Sequence, residues 1–354
     1  MQQVANKKQK IHMKAIVYPF PSSSCTVYLQ ASLAAISEIA QGRLIVVTDT
    51  NVQAAHAAQL AAYTCIVIPA GEQHKHQATV DHIITQLIEL GADRKTVLVG
   101  IGGGVVTDIT GYVASIYMRG IPFGFVPTTV LAMVDAALGG KNGIDVGLYK
   151  NMVGCFKQPQ FILYDTALLQ TLPDAEWING FAEIIKHACI KDAALFDWLA
   201  THQWQDFKAD AALADELIAR NIAIKAAVVL NDEKEAGERK LLNFGHTLGH
   251  AIENLYQLPH GHAVSIGMVA ACRISEEIQG FASADKERVV QLLQQYGLPT
   301  QLDFDKEKAM TILLKDKKQS AGTVHFILLS TIGTAVIVPI GIEQLTHLFE
   351  QCLS

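Results

Sequence analysis

The chain has little that would staple it, anchor it or draw it to a polyanion. Its six cysteines, at positions 25, 65, 155, 189, 272 and 352, form no Cys-x-x-Cys pair. That argues against a disulfide framework and a thiolate zinc site, so the cysteines read as reduced, mostly buried small hydrophobes. No apolar run approaches the length of a membrane span. The short apolar run before Pro19 cannot serve as a signal-peptide core, so residues 1–12 read as a loose extension and the expected location is cytoplasmic. A formal net charge of −6 offers no bulk attraction to nucleic acid or to an anionic membrane. Any anionic ligand must therefore be held by a few local cations. Repeats and low-complexity stretches are absent too. What remains is 354 residues, 50% hydrophobic and 18% charged, enough for a large core and two domains.

From Arg43 to Leu163 short β-branched runs alternate with helical stretches: "RLIVVTD", "QAAHAAQLAA", "TCIVIPA", "ATVDHIITQLIELG", then "TVLVGIGGG" leading into "TDITGYVASIYM". This rhythm predicts βαβ units and a parallel sheet. Beyond "FILYDTALLQTLP" the texture changes to long helical segments: Trp177 to His202, Ala209 to Leu230, Gly245 to Tyr256 and Ala263 to Ile278. The fold class expected is α/β, with a Rossmann-like parallel-sheet domain over residues 1–172 and a mostly α-helical domain over residues 173–354. "TVHFILLSTIGTAVIVP" reads as a hairpin packed on the helical part or on the seam.

"VLVGIGGGVVTDITGYVAS" places Gly100, Gly102, Gly103 and Gly104 between an apolar strand and a helix. Glycines there let backbone amides approach a pyrophosphate, and a helix N-terminus favours its charge. The spacing is not Gly-x-Gly-x-x-Gly, since Val105 and Thr107 interrupt it. Two further loops at strand ends, "TDTN" with Asp49 and Asn51 and "PAGEQHK" with Glu72 and Lys75, fall on the edge where open α/β sheets bind ligands. A carboxylate there suits ribose hydroxyls.

Four of the 13 histidines lie between His246 and His262. His246 and His250 share one helix face, a geometry suited to two ligands of a borderline metal. With no thiolate nearby, the third ligand is another histidine or a carboxylate, and His260 or His262 could supply it. Glu253, on the same helix, suits an outer hydrogen-bonding role. In "NGFAEIIKHACI", Glu183 lies on one face with Lys186 and His187 among apolar neighbours, and a carboxylate buried there needs a partner or a metal.

Cations are few and local. Glycine-rich loops in "MVDAALGGKNGIDVGLYKN" carry Asp135, Lys141, Lys150 and Asn151, while Lys225, Arg239 and Asn243 come shortly before the first histidine. Beside a metal they suit an anionic substrate carrying phosphate or carboxylate. Glu233 and Lys234 read as ordinary solvated charges. From the residues alone, the chain reads as a redox enzyme acting on an anionic polyol.

"GEQHK", "GGGVVTDITGYVAS", "RGIPFGFVPTTVLAMVDAALGGKNGID", "KNMVGCFKQP", "NGFAEIIKHACI", "RKLLNFGHTLGHAIE", "HGHAVSIGM" and "DKK" occur in this order from about Thr48 to Gly333. In these motifs the sequence resembles the 3-dehydroquinate synthase family of sugar-phosphate cyclases. The resemblance implies a two-domain lyase that binds NAD and one divalent metal, zinc or cobalt, and usually works as a homodimer. The implied substrate is 3-deoxy-D-arabino-heptulosonate 7-phosphate. Transient oxidation, β-elimination of phosphate, re-reduction and an intramolecular aldol step would turn it into 3-dehydroquinate, on the shikimate route to chorismate and the aromatic amino acids.

Carried over by position, the resemblance implies Glu183, His246 and His260 as metal ligands, and makes His250 a hydrogen-bonding guide for the substrate phosphate. Asp135, Lys141, Asn151, Lys186, Lys225, Arg239 and Asn243 match substrate-site positions, as does Lys317 or Lys318. Arg119 matches an arginine that crosses the dimer interface to the neighbouring site. For NAD the matching residues are Asp49, Asn51, Glu72, Lys75, Gly103, Gly104, Val105, Asp108, Thr128, Thr129 and Lys150. One departure stands out: where the family has His-Gly-Glu, this chain has His260-Gly261-His262, so His262 competes with His260 for the third ligand position. The rival activities are another cyclase, of the 2-deoxy-scyllo-inosose or epi-valiolone type, and a metal-dependent polyol dehydrogenase. The non-enzymatic rival is a catalytically dead metal-binding or interaction protein.

Overall fold

The computed structural model describes residues 13–147, 149–316 and 323–352. The N-terminal extension and Lys317 and Lys318 lie outside the described residues. Strands β1 (Lys14–Pro19), β2 (Ser24–Leu29), β3 (Leu44–Asp49), β4 (Thr64–Ile68), β5 (Val97–Gly102) and β6 (Phe123–Pro127) belong to one sheet. A separate hairpin of β7 (Lys141–Val146) and β8 (Tyr149–Phe156) follows, and then β9 (Phe161–Leu163) returns to the sheet. The spatial order is β1-β2-β9-β6-β5-β3-β4. β1 and β2 pair antiparallel, and every other neighbouring pair is parallel. β5 and β6 are buried at every position, as strands covered on both faces require.

The connections hold α1 (Ile36–Ile39), α2 (Thr50–Ala55), α3 (Ala57–Leu60), α4 (Gln77–Glu89) and α5 (Gly104–Ile116). The helical run expected around "QAAHAAQLAA" breaks at His56 into α2 and α3. The opening "KAIVYP" and "SCTVYL" form a hairpin that the sequence reading did not assign. The stretch read as glycine-rich loops, carrying Lys141, Lys150 and Asn151, is also a hairpin. Its strands approach so closely that a Cβ on Gly154 would lie 2.2 Å from the Asn142 carbonyl oxygen. Glycine there serves close pairing rather than a loose loop.

The remainder is mostly helical. It comprises α6 (Asp174–Lys191), α7 (Ala193–Ala200), α8 (Trp204–Ala209), α9 (Ala211–Asn231), α10 (His246–Tyr256), α11 (His260–Gln279), α12 (Ser283–Gln295), α13 (Lys306–Asp316) and α14 (Ile342–Cys352). The segment expected to run helical from Trp177 to His202 divides at Asp192, whose side chain accepts from Leu195 N at 2.9 Å and caps α7. The expected hairpin is present as β10 (Thr323–Thr331) and β11 (Thr334–Gly341). It shares an apolar cluster with α11, where Val324, Phe326 and Leu328 meet Ile266, Ala270 and Ile274. α6 runs through the interior, buried at every residue from Phe181 to Ile190. No helix among the described residues is long and apolar enough to cross a membrane.

Candidate active site

Parallel strands bring their following loops to one edge. Asp49 ends β3 and caps α2, accepting from Asn51 N at 2.8 Å and Val52 N at 2.9 Å. Glu72 and Lys75 follow β4, Gly103 and Gly104 follow β5 and open α5, and Thr128 and Thr129 follow β6. Thr128 N donates to the Gly102 carbonyl at 3.0 Å, and a Cβ on Gly103 would meet Thr129 Cγ2 at 3.2 Å. Val105 and Asp108 lie on the first turns of α5. Lys75 is buried, 2.6 Å from Asp108 Oδ2 and 2.6 Å from Asn151 Oδ1. Burial alone would lower its pKa, but Asp108 and Glu72 hold it above the ordinary lysine value. Two features fit a dinucleotide. The buried Thr128 hydroxyl lacks a partner, and the N-terminus of α5 has no side-chain cap at Gly103.

The other focus lies on α6, α10 and α11. Glu183 is completely buried, and its Oε1 lies 3.3 Å from His246 Nε2 and 3.2 Å from His260 Nε2. His246 opens α10 after Gly245, which sits at φ 79° with Met268 Cγ only 2.6 Å from where a Cβ would be. His260 opens α11 after Pro259. Gly261 N donates to Asn179 Oδ1 at 2.6 Å, seating α11 on α6. His246 Nδ1 faces the Phe244 carbonyl at 3.1 Å. A carbonyl only accepts, so this ring carries its hydrogen on Nδ1 and turns Nε2 towards Glu183.

One ligand atom from each of Glu183, His246 and His260 lies within 4.8 Å of the others. One carboxylate and two imidazoles form a donor set that fits zinc or cobalt. Burial would raise the Glu183 pKa, but Lys186, in direct ion pair with it, and His246 hold it well below the usual carboxyl range. Burial would lower that of His260, yet its hydrogen bonds to the Glu183 and Glu253 carboxylates raise it to about 9. His250 stays one turn along α10, its ring centroid 5.1 Å from that of His246. It groups with Glu253 and His260 rather than with Glu183, which corrects the pairing of His246 with His250 expected from helix spacing. His262 is in none of the convergent groups among the described residues.

The expected substrate cations lie around this centre in different states. Lys225 donates to Asp135 Oδ1 at 2.7 Å, and burial pushes its pKa down to about 8 against the pull of that carboxylate. His187, packed behind them, pairs with Asn221 Oδ1 at 3.0 Å. Burial, with Lys186 adding to it, lowers its pKa to about 4, so it is a neutral interior residue. Lys150 reaches across to Glu253 at 2.5 Å.

Arg239 is only 2% exposed, its guanidinium donating to the carbonyls of Gly139 (2.9 Å) and Glu233. It props these two loops. Arg119 follows the far end of α5, a helix about 20 Å long at 1.5 Å per residue. It is exposed.

Two acidic residues add to the expected set. Glu235, left-handed at φ 61°, pairs with Lys141 and accepts from Asn243 Nδ2 at 2.6 Å. Only its place four residues before Arg239 could have hinted at this. Glu233 corrects the reading of a solvated charge: it is 6% exposed and accepts from Ser22 N at 2.9 Å, from the Ser22 hydroxyl, and from Gln158 Nε2 at 2.8 Å.

The "3-dehydroquinate synthase N-terminal" family model matches residues 65–179, and its C-terminal counterpart matches residues 180–319. The 3-dehydroquinate synthase of Pelobacter propionicus is 42% identical over 319 residues, covering 87% of this chain and 89% of its own. The chain belongs to the 3-dehydroquinate synthase family. Among solved structures, a 2-epi-5-epi-valiolone synthase of Streptomyces hygroscopicus subsp. jinggangensis with NAD+ and Zn2+ bound superposes with a TM-score of 0.84 at 28% identity, covering 93% of this chain and 96% of that one. A 2-deoxy-scyllo-inosose synthase complexed with carbaglucose-6-phosphate, NAD+ and Co2+ shares the fold, with a TM-score of 0.82 at 23% identity over 96% of this chain and 100% of that one. This member of the 3-dehydroquinate synthase family therefore shares its fold with both cyclases.

Proposed function

We propose that this protein converts 3-deoxy-D-arabino-heptulosonate 7-phosphate into 3-dehydroquinate and phosphate. The observation that carries this is the buried Glu183, His246 and His260 triad, set beside Lys186 and Lys225 in a chain of this family. Residues 1–172 would form the NAD-binding domain and residues 173–354 the metal- and substrate-binding domain. Glu183, His246 and His260 would hold one divalent cation, which supplies Lewis acidity towards a substrate hydroxyl. The edge formed by Asp49, Asn51, Glu72, Lys75, Gly103, Gly104, Val105, Asp108, Thr128, Thr129 and Lys150 would hold NAD, which supplies a hydride acceptor regenerated in each turnover.

The chain's own groups bind and orient. Lys186 and Lys225, desolvated and fixed by Glu183 and Asp135, present ammonium groups to an anion without needing to reorganise. Lys141 and Asn243, joined here through Glu235, would take the substrate carboxylate. His250 and Asn151 would hold the phosphate as it leaves, and Lys317 would add a further cation. Arg239 would act by fixing the loops at Gly139 and Glu233.

An Arg119 that reaches the neighbouring site, as the family motif implies, would require a homodimer. Exposed Ile116, Met118, Val146, Tyr149, Met152 and Phe156 provide apolar surface for one. The expected location is the cytoplasm.

The test is phosphate release from 3-deoxy-D-arabino-heptulosonate 7-phosphate by zinc-loaded protein with catalytic NAD, with NADH absorbance followed alongside. Many turnovers without accumulating NADH, abolished by a chelator, are expected. Silence with this substrate but release from glucose 6-phosphate or sedoheptulose 7-phosphate would overturn the assignment in favour of a sister cyclase.

A further inference from the structure

Glu253 lies two turns along α10 from His246, on the same face, and is 5% exposed. Its two oxygens have different partners: Oε2 faces His260 Nδ1 at 3.3 Å and Oε1 takes Lys150 Nζ at 2.5 Å. A carboxylate only accepts, so His260 must donate from Nδ1 and turn Nε2 towards Glu183. Lys150 sits on β8 beside Asn151, and adjacent strand residues point to opposite faces. Asn151 meets Lys75, which meets Asp108 on the helix that opens at the glycine loop. Two runs of polar contacts, Asp108–Lys75–Asn151 and Lys150–Glu253–His260, thus meet at adjacent residues of β8 and are joined through its backbone, crossing from the sheet to the helical half. β7 packs on α5 through the buried Asn142 and Ile144, but β8 is mostly exposed, with Tyr149 and Met152 each 65% exposed, so the placement of Lys150 and Asn151 leans on these polar ties.

We infer that Glu253 is a positioning residue that aligns His260 for metal binding and, through Lys150, couples metal binding to occupancy of the dinucleotide edge. This rests on the function proposed above. A ligand that holds the Lys75 and Asn151 side pins the hairpin, and with it Lys150 and Glu253, so less remains to be ordered when the cation enters. By reciprocity the cation tightens the dinucleotide by the same factor.

The experiment measures zinc affinity of the full-length protein by competition with a chromophoric chelator, with and without saturating NAD. NAD affinity is measured with and without zinc, and each variant's fold is checked by circular dichroism. In the parent, NAD should tighten zinc by about fivefold or more. Glu253→Ala should weaken zinc by about 10- to 100-fold and abolish the coupling. Lys150→Met, which also removes a group assigned to the dinucleotide edge, should at saturating NAD bring the coupling factor close to 1.

Glu253→Gln has one carbonyl to share between His260 and Lys150. It should retain part of the zinc affinity, and it serves if the alanine variant does not fold. Zinc affinity within about twofold of the parent in the Glu253 variants would overturn the positioning role. Undiminished coupling in Lys150→Met would overturn the link. A parent that couples zinc and NAD in this way but releases no phosphate from the heptulosonate substrate sinks the substrate assignment and leaves this inference standing.

Discussion

Ligand identity at the residue scale depends on which atoms converge, and helix spacing alone cannot supply that. His246 and His250 share a face, yet the carboxylate that meets His246 comes from α6, far away in sequence. The residue pattern placed Glu183 beside Lys186 and His187 without saying what it faced, and only the family motif joined it to the histidines. Zinc should bind to the parent with release of protons, because His260, held at about 9, must lose one before its Nε2 can coordinate. Affinity should therefore climb as pH rises towards 9, and a pH-indicator titration reads the protons directly. His246→Ala should weaken zinc by more than about 100-fold and abolish turnover, checked by metal content after dialysis. His262→Ala should alter zinc affinity by no more than about twofold; a larger loss would return His262 to the ligand set. Glu235 escaped notice because a lone acid in a charged run has no period or motif to separate it from solvated neighbours.

Among the elements, those with a strong period were legible. The parallel strands β3, β4 and β5 and the helices α9, α10 and α11 all lie where the patterns put them. The hairpins β1–β2 and β7–β8 were missed for a physical reason. Both are short and partly exposed, and β7–β8 is interrupted by glycines that read as loop signals but permit close strand approach. Helix α11 owes its seat on α6 to Gly261, where a Cβ would fall 2.1 Å from the Asn179 carbonyl oxygen. Gly261→Ala must push α11 off α6 and carry His260 away from Glu183. The expected cost is about 1–3 kcal/mol of stability, read by thermal melting, together with weakened zinc binding. A variant with parental melting and zinc affinity would show that the contact yields without consequence.

On the scale of the whole molecule, Glu233 ties the end of α9 to Ser22 in the β1–β2 turn and to Gln158 before β9. Burial would raise its pKa, but the hydrogen bonds from Ser22 and Gln158 hold it below the ordinary glutamate value. A carboxyl with a lowered folded-state pKa stabilises the fold above the ordinary value of about 4.3. That stabilisation is lost as pH falls through the folded-state value. Glu233→Gln should lower the melting temperature at pH 7, with the gap to the parent closing on acidification; a gap independent of pH would rule out the charged state as its source.

The presence of a parallel sheet and a helical portion was visible as a change of texture along the chain. The meeting of the two parts through Lys150, Glu233 and Asp135 was not, because each contact joins residues far apart along the chain.

The sheet order carries one more consequence, for how the chain reaches its native state. β9 lies between β2 and β6, so the N-terminal hairpin has no place in the parallel sheet until the chain has been made as far as Leu163. During synthesis β3 to β6 can assemble while β1 and β2 wait with an open flank. The last strand to arrive is a three-residue wedge that must close a long loop, an entropically slow step. The amides of β2 should therefore gain protection late in refolding, after those of β5.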